Sequence, residues 1–142
     1  MKFAEPIFQK LLPAVFAVFL LPIICGCGED NGGKVTRVID ESGIISSTDL
    51  RDPDHSYLAY DAYEFVAGPL DLVSVEIEAS GFSPLLKLVE ISTGAVLEEW
   101  DPQYSSDDAL NYTVAVQGSY EARVYALENG TGNYDIAVIL KH

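Results

Sequence analysis

Residues 73–80 read Val-Ser-Val-Glu-Ile-Glu-Ala-Ser, and this stretch decides the fold class. Apolar side chains occupy every second position, and the residues between them are serine or glutamate. Because successive side chains of an extended strand point to opposite faces of a sheet, this alternation predicts a strand with one buried and one solvent-facing side. The same period of two recurs in residues 110–116, 120–126 and 134–140, and no convincing helical period occurs after residue 27.

Glycine-containing dipeptides separate these alternating stretches, as at Ser80-Gly81, Thr93-Gly94 and Gln117-Gly118. Such dipeptides mark turns. Short strands at regular spacing predict an all-β protein, specifically an antiparallel β-sandwich or jelly-roll-like fold of about eight strands. The predicted strands are residues 35–39, 57–65, 72–79, 85–91, 95–100, 111–116, 120–126 and 134–140.

The first 26 residues have the composition of an export signal. Lys2 and Lys10 come before fourteen uncharged residues, 11–24. A helix of that length spans about 21 Å, which is too short for a hydrocarbon core of about 30 Å. A positively charged start and a short apolar segment are typical of a secretory signal peptide. The alternative is a buried N-terminal helix of the domain, which two prolines and the abrupt change to polar sequence oppose.

The residues Ile24-Cys25-Gly26-Cys27 resemble the lipobox of bacterial lipoproteins, with Cys25 where Ala or Ser is more usual. The resemblance implies cleavage before Cys27 and acyl chains on its thiol and amino group. Ordinary signal cleavage that leaves a free thiol is the alternative. Gly28 resembles the sorting signal of lipoproteins destined for the outer membrane. We therefore expect a signal peptide over residues 1–26, a lipidated cysteine and flexible tether over 27–34, and a sandwich over 35–142 at the outer membrane or cell surface.

The charge balance limits the kinds of partner. The chain has 22 acidic and 8 basic residues, for a net charge of −14, and removal of residues 1–26 leaves −15 because Lys2, Lys10 and Glu5 are lost. Such a surface repels phosphate backbones, so we expect no nucleic-acid partner. No cysteine follows Cys27, which excludes a disulfide framework.

Catalytic motifs are missing from the sequence. His55, in a polar loop, and the C-terminal His142 are the only histidines, and no G-x-S-x-G elbow occurs. We therefore predict no catalytic residues and no enzyme activity.

Four motifs occur in order along the chain: Asp-Ala-Tyr-Glu-Phe at 61–65, Phe-Ser-Pro-Leu-Leu-Lys-Leu at 82–88, Gly-Ser-Tyr-Glu-Ala-Arg-Val at 118–124 and Gly-Asn-Tyr-Asp-Ile-Ala-Val at 132–138. With them, residues 57–140 resemble the bacterial pre-peptidase C-terminal (PPC) β-sandwich. The resemblance implies a non-catalytic accessory module of secreted hydrolases; some such modules bind carbohydrate or fibrous protein, and some bind calcium. The chain departs from that setting because its 142 residues include no peptidase domain.

An acidic cluster comes before the first of these motifs. Asp49, Asp52 and Asp54 lie close in sequence to Asp61. Calcium takes six to eight oxygen ligands, and Asp-rich loops supply them. The four carboxylates are therefore a candidate calcium site, although no D-x-D-x-D-G spacing supports it. Solvated acidic loops are the alternative.

Aromatic residues are the other candidate for binding, although the sequence identifies no ligand. Five of them could lie outside the core and stack on sugar or protein. The high β propensity of tyrosine is the alternative explanation for their number. The five are Tyr57, Tyr60, Trp100, Tyr104 and Tyr125.

The sequence as a whole predicts a non-catalytic binding module, held on the lipid bilayer of the cell envelope through Cys27, with a protein or polysaccharide partner. A structural envelope lipoprotein without a small ligand and an accessory subunit of a secreted hydrolase are the alternatives.

Overall fold

Strands make up nearly all of the regular structure in residues 33–142, which are the residues that the computed structural model describes. The predicted signal peptide, Cys27 and most of the predicted tether lie outside the described residues. No helix among residues 33–142 is long and apolar enough to cross a membrane. The strands are β1 (Val35–Ile45), β2 (Leu50–Arg51), β3 (Ala59–Ala67), β4 (Leu72–Ser80), β5 (Pro84–Glu90), β6 (Ala95–Trp100), β7 (Leu110–Thr113), β8 (Gly118–Ala126) and β9 (Gly132–Lys141).

The strands form two antiparallel sheets. The four-stranded sheet has the order β1-β9-β4-β7, and the five-stranded sheet has the order β2-β3-β8-β5-β6. Without β2, this is the strand order of an eight-stranded jelly roll. Consecutive strands among these eight lie in different sheets, except for the hairpin of β5 and β6. The predicted all-β sandwich is therefore confirmed, with nine strands where about eight were expected.

The predicted strands differ from the observed ones mainly at β1 and β2. β1 runs to Ile45, six residues beyond its predicted end, and pairs with β9 over nearly its whole length, with a bulge between Arg37 and Ile39. As an edge strand, β1 is held by backbone pairing, so most of its side chains are exposed and show no hydrophobic alternation. β2 has only two residues, too few to produce any pattern.

The alternating side chains that point between the sheets form the core. Val73 and Val75 of β4 are fully buried, as the opening pattern predicts. Tyr120 is also buried, and its hydroxyl donates a 2.6 Å hydrogen bond to the carbonyl oxygen of Val116, tying β8 to the loop before it. The other large side chains that are less than 2% exposed in this cluster are Ile45, Leu86, Leu88, Leu110, Val114, Val124, Ile136 and Val138.

Because neighbouring strands are antiparallel, the connections alternate between two ends of the sandwich. We call the end at which residue 33 enters the terminal end, and the opposite one the acidic end. The terminal end contains residues 33–34, the loops 68–71, 91–94 and 114–117, and His142; the acidic end contains the segments 46–58, 81–83, 101–109 and 127–131.

Candidate functional site

A surface rich in aromatic and basic side chains lies on the outer face of the five-stranded sheet, next to the acidic end. We define it by five residues and call it the Tyr57 surface. Leu50 is 59% exposed and Tyr57 is 55% exposed. Leu50 lies opposite Tyr60 in the β2–β3 register, so both face the same side of the sheet. The members of the Tyr57 surface are Leu50, His55, Tyr57, Tyr60 and Arg123.

The loop that carries Tyr57 is fixed by a buried carboxylate. Asp52 is 6% exposed, and its Oδ1 accepts hydrogen bonds of 2.9 Å from the backbone N–H groups of Asp54 and His55. Backbone hydrogen bonds from Asp52 to Leu58 and from Leu58 to His55 close the loop. Burial raises the pKa of Asp52, but the two backbone donors, with smaller effects from Tyr125 and Lys87, together hold that pKa below its usual value of 3.8. The charged carboxylate therefore organises the loop.

Two further contacts hold Tyr57 in place. The Arg51 guanidinium donates a 3.1 Å hydrogen bond to the Tyr57 carbonyl oxygen, and the ring of His55 packs edge-on against the Tyr57 ring, with centroids 5.8 Å apart. An exposed aromatic side chain that is already ordered loses little conformational entropy when a partner binds.

A small second core supports this surface from below. Tyr125 projects to the outer face of the sheet but is fully buried, because Leu58 and Leu85 pack around it. Its ring stacks on that of Tyr60 at a centroid distance of 5.0 Å, and the Lys87 ammonium lies 5.0 Å from its centroid. The Tyr125 hydroxyl is the only fully enclosed side-chain polar atom in residues 33–142 without a hydrogen-bond partner.

Burial raises the pKa of Tyr125 to about 12, with nearby Arg123 acting to lower it. Burial acts to lower the pKa of Arg123 itself, but its interactions with Glu121 and Tyr125 together more than offset this, so the guanidinium stays charged. Its Cζ lies 5.1 Å from the centroid of the Tyr60 ring, within the range of a cation–π contact. The Tyr57 surface is thus an aromatic area with one ion-paired guanidinium on an acidic protein.

The five predicted aromatic residues lie in three different settings. Tyr57 and Tyr60 belong to the Tyr57 surface, and Tyr125 lies beneath it. Trp100 is a core residue whose Nε1 donates to the Asp107 carbonyl oxygen, and Tyr104 is exposed in another loop. Sequence reasoning missed Arg123, although its position two residues before Tyr125 in a period-two strand places both side chains on one face.

The four predicted calcium ligands have separate surroundings. Asp52 caps its own loop, Asp49 accepts a hydrogen bond from the Ser46 backbone N–H, and Asp54 is exposed. Asp61 points between the sheets. In the part of the chain that the structure describes, no three His, Cys, Asp or Glu residues converge closely enough to hold a metal ion. Calcium binding by these residues stays a prediction.

Asp61 is instead part of a hydrogen-bonded chain between the two sheets. The Tyr134 hydroxyl donates to Asp61 Oδ2 at 2.5 Å, and the Tyr63 hydroxyl lies 2.6 Å from the Tyr134 hydroxyl. Burial, followed by the hydrogen bond to Asp61, raises the pKa of Tyr134. Gly43 of β1 lies against the Tyr134 ring, where a Cβ would be only 2.3 Å from Cζ. These hydrogen bonds therefore join β3 to β9 near the acidic end, and β1 packs against the Tyr134 ring through Gly43.

The outer face of the four-stranded sheet carries acidic residues on neighbouring strands. Asp135 on β9 is in register with Glu78 on β4 and with Ser42 on β1, whose hydroxyl donates to it. Arg37 forms a 2.9 Å ion pair with Asp40. Because like charges on adjacent strands repel, this face favours a positively charged partner. The acidic residues that line its shallow groove of about 370 Å³ are Asp40, Glu76, Glu78, Asp108 and Asp135.

Comparison with known proteins relates the chain only to solved structures. No protein family and no curated protein matches it. PliG of Aeromonas hydrophila, a periplasmic inhibitor of g-type lysozyme, superposes with a TM-score of 0.51 at 14% identity, covering 78% of this chain and 89% of that one. This likeness shows a shared fold.

Two further structures superpose with lower scores. The pre-peptidase C-terminal domain of a collagenase from Bacillus anthracis has a TM-score of 0.48 at 18% identity, over 70% of this chain and 87% of that one. PliG of Salmonella Typhimurium has a TM-score of 0.46 at 23% identity, over 81% of this chain and 95% of that one.

Proposed function

We propose that this chain is a non-catalytic protein-binding module, held at the surface of a bacterial cell envelope by acyl chains on Cys27. The Tyr57 surface is the observation that carries the proposal. Tyrosine and arginine are enriched at the energetic centres of protein interfaces, where a few residues supply most of the binding free energy. Here Tyr57 lies on a loop that the buried Asp52 has already ordered, and Tyr60 and Arg123 lie on the strands β3 and β8.

A protein partner fits this chain better than a polysaccharide. The Tyr60 ring already stacks on Tyr125 and lies next to the Arg123 guanidinium, so little of it is free for a sugar ring. Leu50 and Tyr57 offer apolar contact area beside that charge, as protein interfaces commonly do. The Aeromonas hydrophila protein that shares the fold is itself an inhibitor of an enzyme, g-type lysozyme.

The envelope location rests on the sequence. The charged start, the short apolar segment and the cysteine after Gly26 support export followed by acylation. Several acyl chains form a stable anchor, because each buried methylene contributes about 0.8 kcal/mol. The net charge of −14 favours a partner with a basic surface.

Site-specific photocrosslinking in the native envelope tests the proposal. A photoreactive residue in place of Leu50, in the full chain, should capture one discrete protein partner, and Tyr57→Ala in the same chain should abolish the adduct. The matched control carries the photoreactive residue in place of Val96, which is 51% exposed on β6 at the opposite edge of the same sheet and should capture nothing. An adduct at position 50 that survives Tyr57→Ala, or no adduct from a folded and acylated protein, would refute the proposal.

A further inference from the structure

The terminal end of the sandwich exposes apolar side chains on two adjacent loops. Leu70, between β3 and β4, is 81% exposed, and Val116, between β7 and β8, is 53% exposed. A 2.8 Å hydrogen bond from the Leu70 N–H to the Val114 carbonyl oxygen joins the two loops, so these side chains belong to one surface. Val35 and Val66, also exposed, lie at the adjoining ends of β1 and β3.

The backbone at Leu70 is unfavourable for a leucine. Its φ is +71°, in the left-handed region that glycine and asparagine adopt more readily. The side chain is almost entirely exposed, so burial within the domain does not compensate for this conformation. A strained and exposed apolar residue on a loop suggests that its contact is made outside the chain.

The described chain also begins at this end. The backbone N–H of His142 donates a 2.9 Å hydrogen bond to the Lys34 carbonyl oxygen, which fixes residue 34 beside the end of β9. Cys27 comes six residues before Gly33. Six residues of fully extended chain span at most about 20 Å. Acyl chains on Cys27 would therefore hold the terminal end within about 20 Å of a bilayer surface.

The two ends of the sandwich differ in charge, with lysines at the terminal end and mostly carboxylates at the acidic end. The terminal end carries Lys34 and the nearby Lys141; Asp71 is buried and paired with His142 at 2.8 Å, and Glu90 accepts a hydrogen bond from a neighbouring threonine. An anionic membrane surface attracts lysines and repels carboxylates. The connecting segments of the acidic end contain one arginine, Arg51, no lysine, and the acidic residues Asp49, Asp52, Asp54, Asp101, Asp107, Asp108 and Glu128.

We infer that the terminal end docks on the lipid surface, with Leu70 and Val116 at the boundary between headgroups and acyl chains. Lys34 and Lys141 lie near the headgroup phosphates, and the acidic end points away from the membrane. The inference rests on the proposed function, because it requires the acyl anchor on Cys27. It explains why an exposed, strained leucine stands at the end where the chain would leave the bilayer.

Fluorescence of the full-length mature lipoprotein in vesicles tests the docking. The vesicles contain phosphatidylethanolamine and phosphatidylglycerol, and an environment-sensitive dye is attached to Leu70→Cys, to Val116→Cys or to the control Tyr104→Cys. Tyr104 is 82% exposed and lies at the acidic end, so it matches Leu70 in exposure. Brominated lipids should quench the dye several-fold more strongly at positions 70 and 116 than at 104.

The mass of the N-terminal peptide, measured on the same sample, separates the outcomes. If Cys27 is acylated and quenching is equal at positions 70 and 104, the docking inference is wrong and the proposed anchor stands. If Cys27 carries no acyl chains, the proposed function itself fails. A blue shift at position 70 that brominated lipids leave unquenched would mean that a second copy or another protein covers this end, which also overturns the inference.

A second variant separates docking from folding. Leu70→Asn introduces a residue that tolerates a positive φ better than leucine does, so the melting temperature should stay the same or rise. Quenching of a dye at Val116→Cys should nevertheless fall in this variant, because one of the two inserted side chains is gone. Unchanged quenching would show that Leu70 does not contact lipid.

Discussion

Tyr134→Phe should destabilise the domain by about 2–3 kcal/mol, although it removes a single oxygen atom. That oxygen donates to Asp61 Oδ2 at 2.5 Å and lies 2.6 Å from the Tyr63 hydroxyl. A hydrogen bond to a charged group contributes about 1.5–3 kcal/mol, and one between neutral groups about 0.5–1.5 kcal/mol. Asp61 and Tyr63 are only half-buried, so water replaces part of the lost hydrogen bonding. The expected loss of unfolding free energy therefore lies in the lower part of the sum of those two ranges. The phenylalanine ring still packs against Gly43, so no cavity adds to it.

Thermal melting followed by circular dichroism measures the effect. For a domain of this size, 1 kcal/mol corresponds to about 4 °C, so the melting temperature should fall by about 8–12 °C. The matched control is Tyr63→Phe, which removes only the outer hydroxyl and should cost about 0.5–1.5 kcal/mol. Because the Tyr63 hydrogen bond depends on Tyr134, the double variant should cost about as much as Tyr134→Phe alone. Additive losses, or a loss below about 1 kcal/mol for Tyr134→Phe, would refute the idea of a linked chain of hydrogen bonds.

Three further predictions concern the anchor and the acidic loop. Cys27→Ala should abolish palmitate labelling and Cys25→Ala should preserve it; labelling that persists without Cys27 would disprove the anchor. Because the folded-state pKa of Asp52 lies below 3.8, its ionised form stabilises the fold above about pH 4, and this contribution is lost as the pH falls further. Urea unfolding should therefore show a steeper acid loss in the wild type than in Asp52→Asn, and parallel curves would contradict this. Calcium at 100 times its dissociation constant should add about 2.7 kcal/mol beyond magnesium at matched ionic strength, and Asp52→Ala with Asp54→Ala should remove that gain. Equal shifts with both ions would leave only charge screening.

The sequence predicted those strands whose side chains carry the fold. Each strand with one buried and one exposed face shows a local period of two. β4 is an example, although Ser74 on its outer face is also buried. β1 was predicted too short because its length depends on pairing with β9, almost a hundred residues away in sequence. Nothing near residues 40–45 reveals that pairing, since charged residues and a glycine interrupt the alternation.

The candidate site was only partly predictable because it also depends on contacts between residues far apart in sequence. The exposure of Tyr57 and Tyr60 could be proposed from the sequence, because the chain is rich in tyrosine and these two lie beside a polar loop. Tyr125 is buried on the outer face because the loop from Asp52 to Leu58 folds over it. The alternation of apolar and polar residues along β8 does not reveal this contact. Asp61 looked like a member of the neighbouring acidic cluster, but its partner Tyr134 comes from the last strand.

The position of β9 has a consequence for when the domain can fold. β9 lies between β1 and β4 and forms long antiparallel pairings with both. Until this strand has been synthesised, β1 has no neighbour in its sheet, and β4 pairs only with the four-residue β7. Contacts between residues so far apart in sequence form slowly. The four-stranded sheet therefore cannot assemble until synthesis is nearly complete, and an incompletely folded polypeptide is the form that can be threaded through a narrow translocation channel.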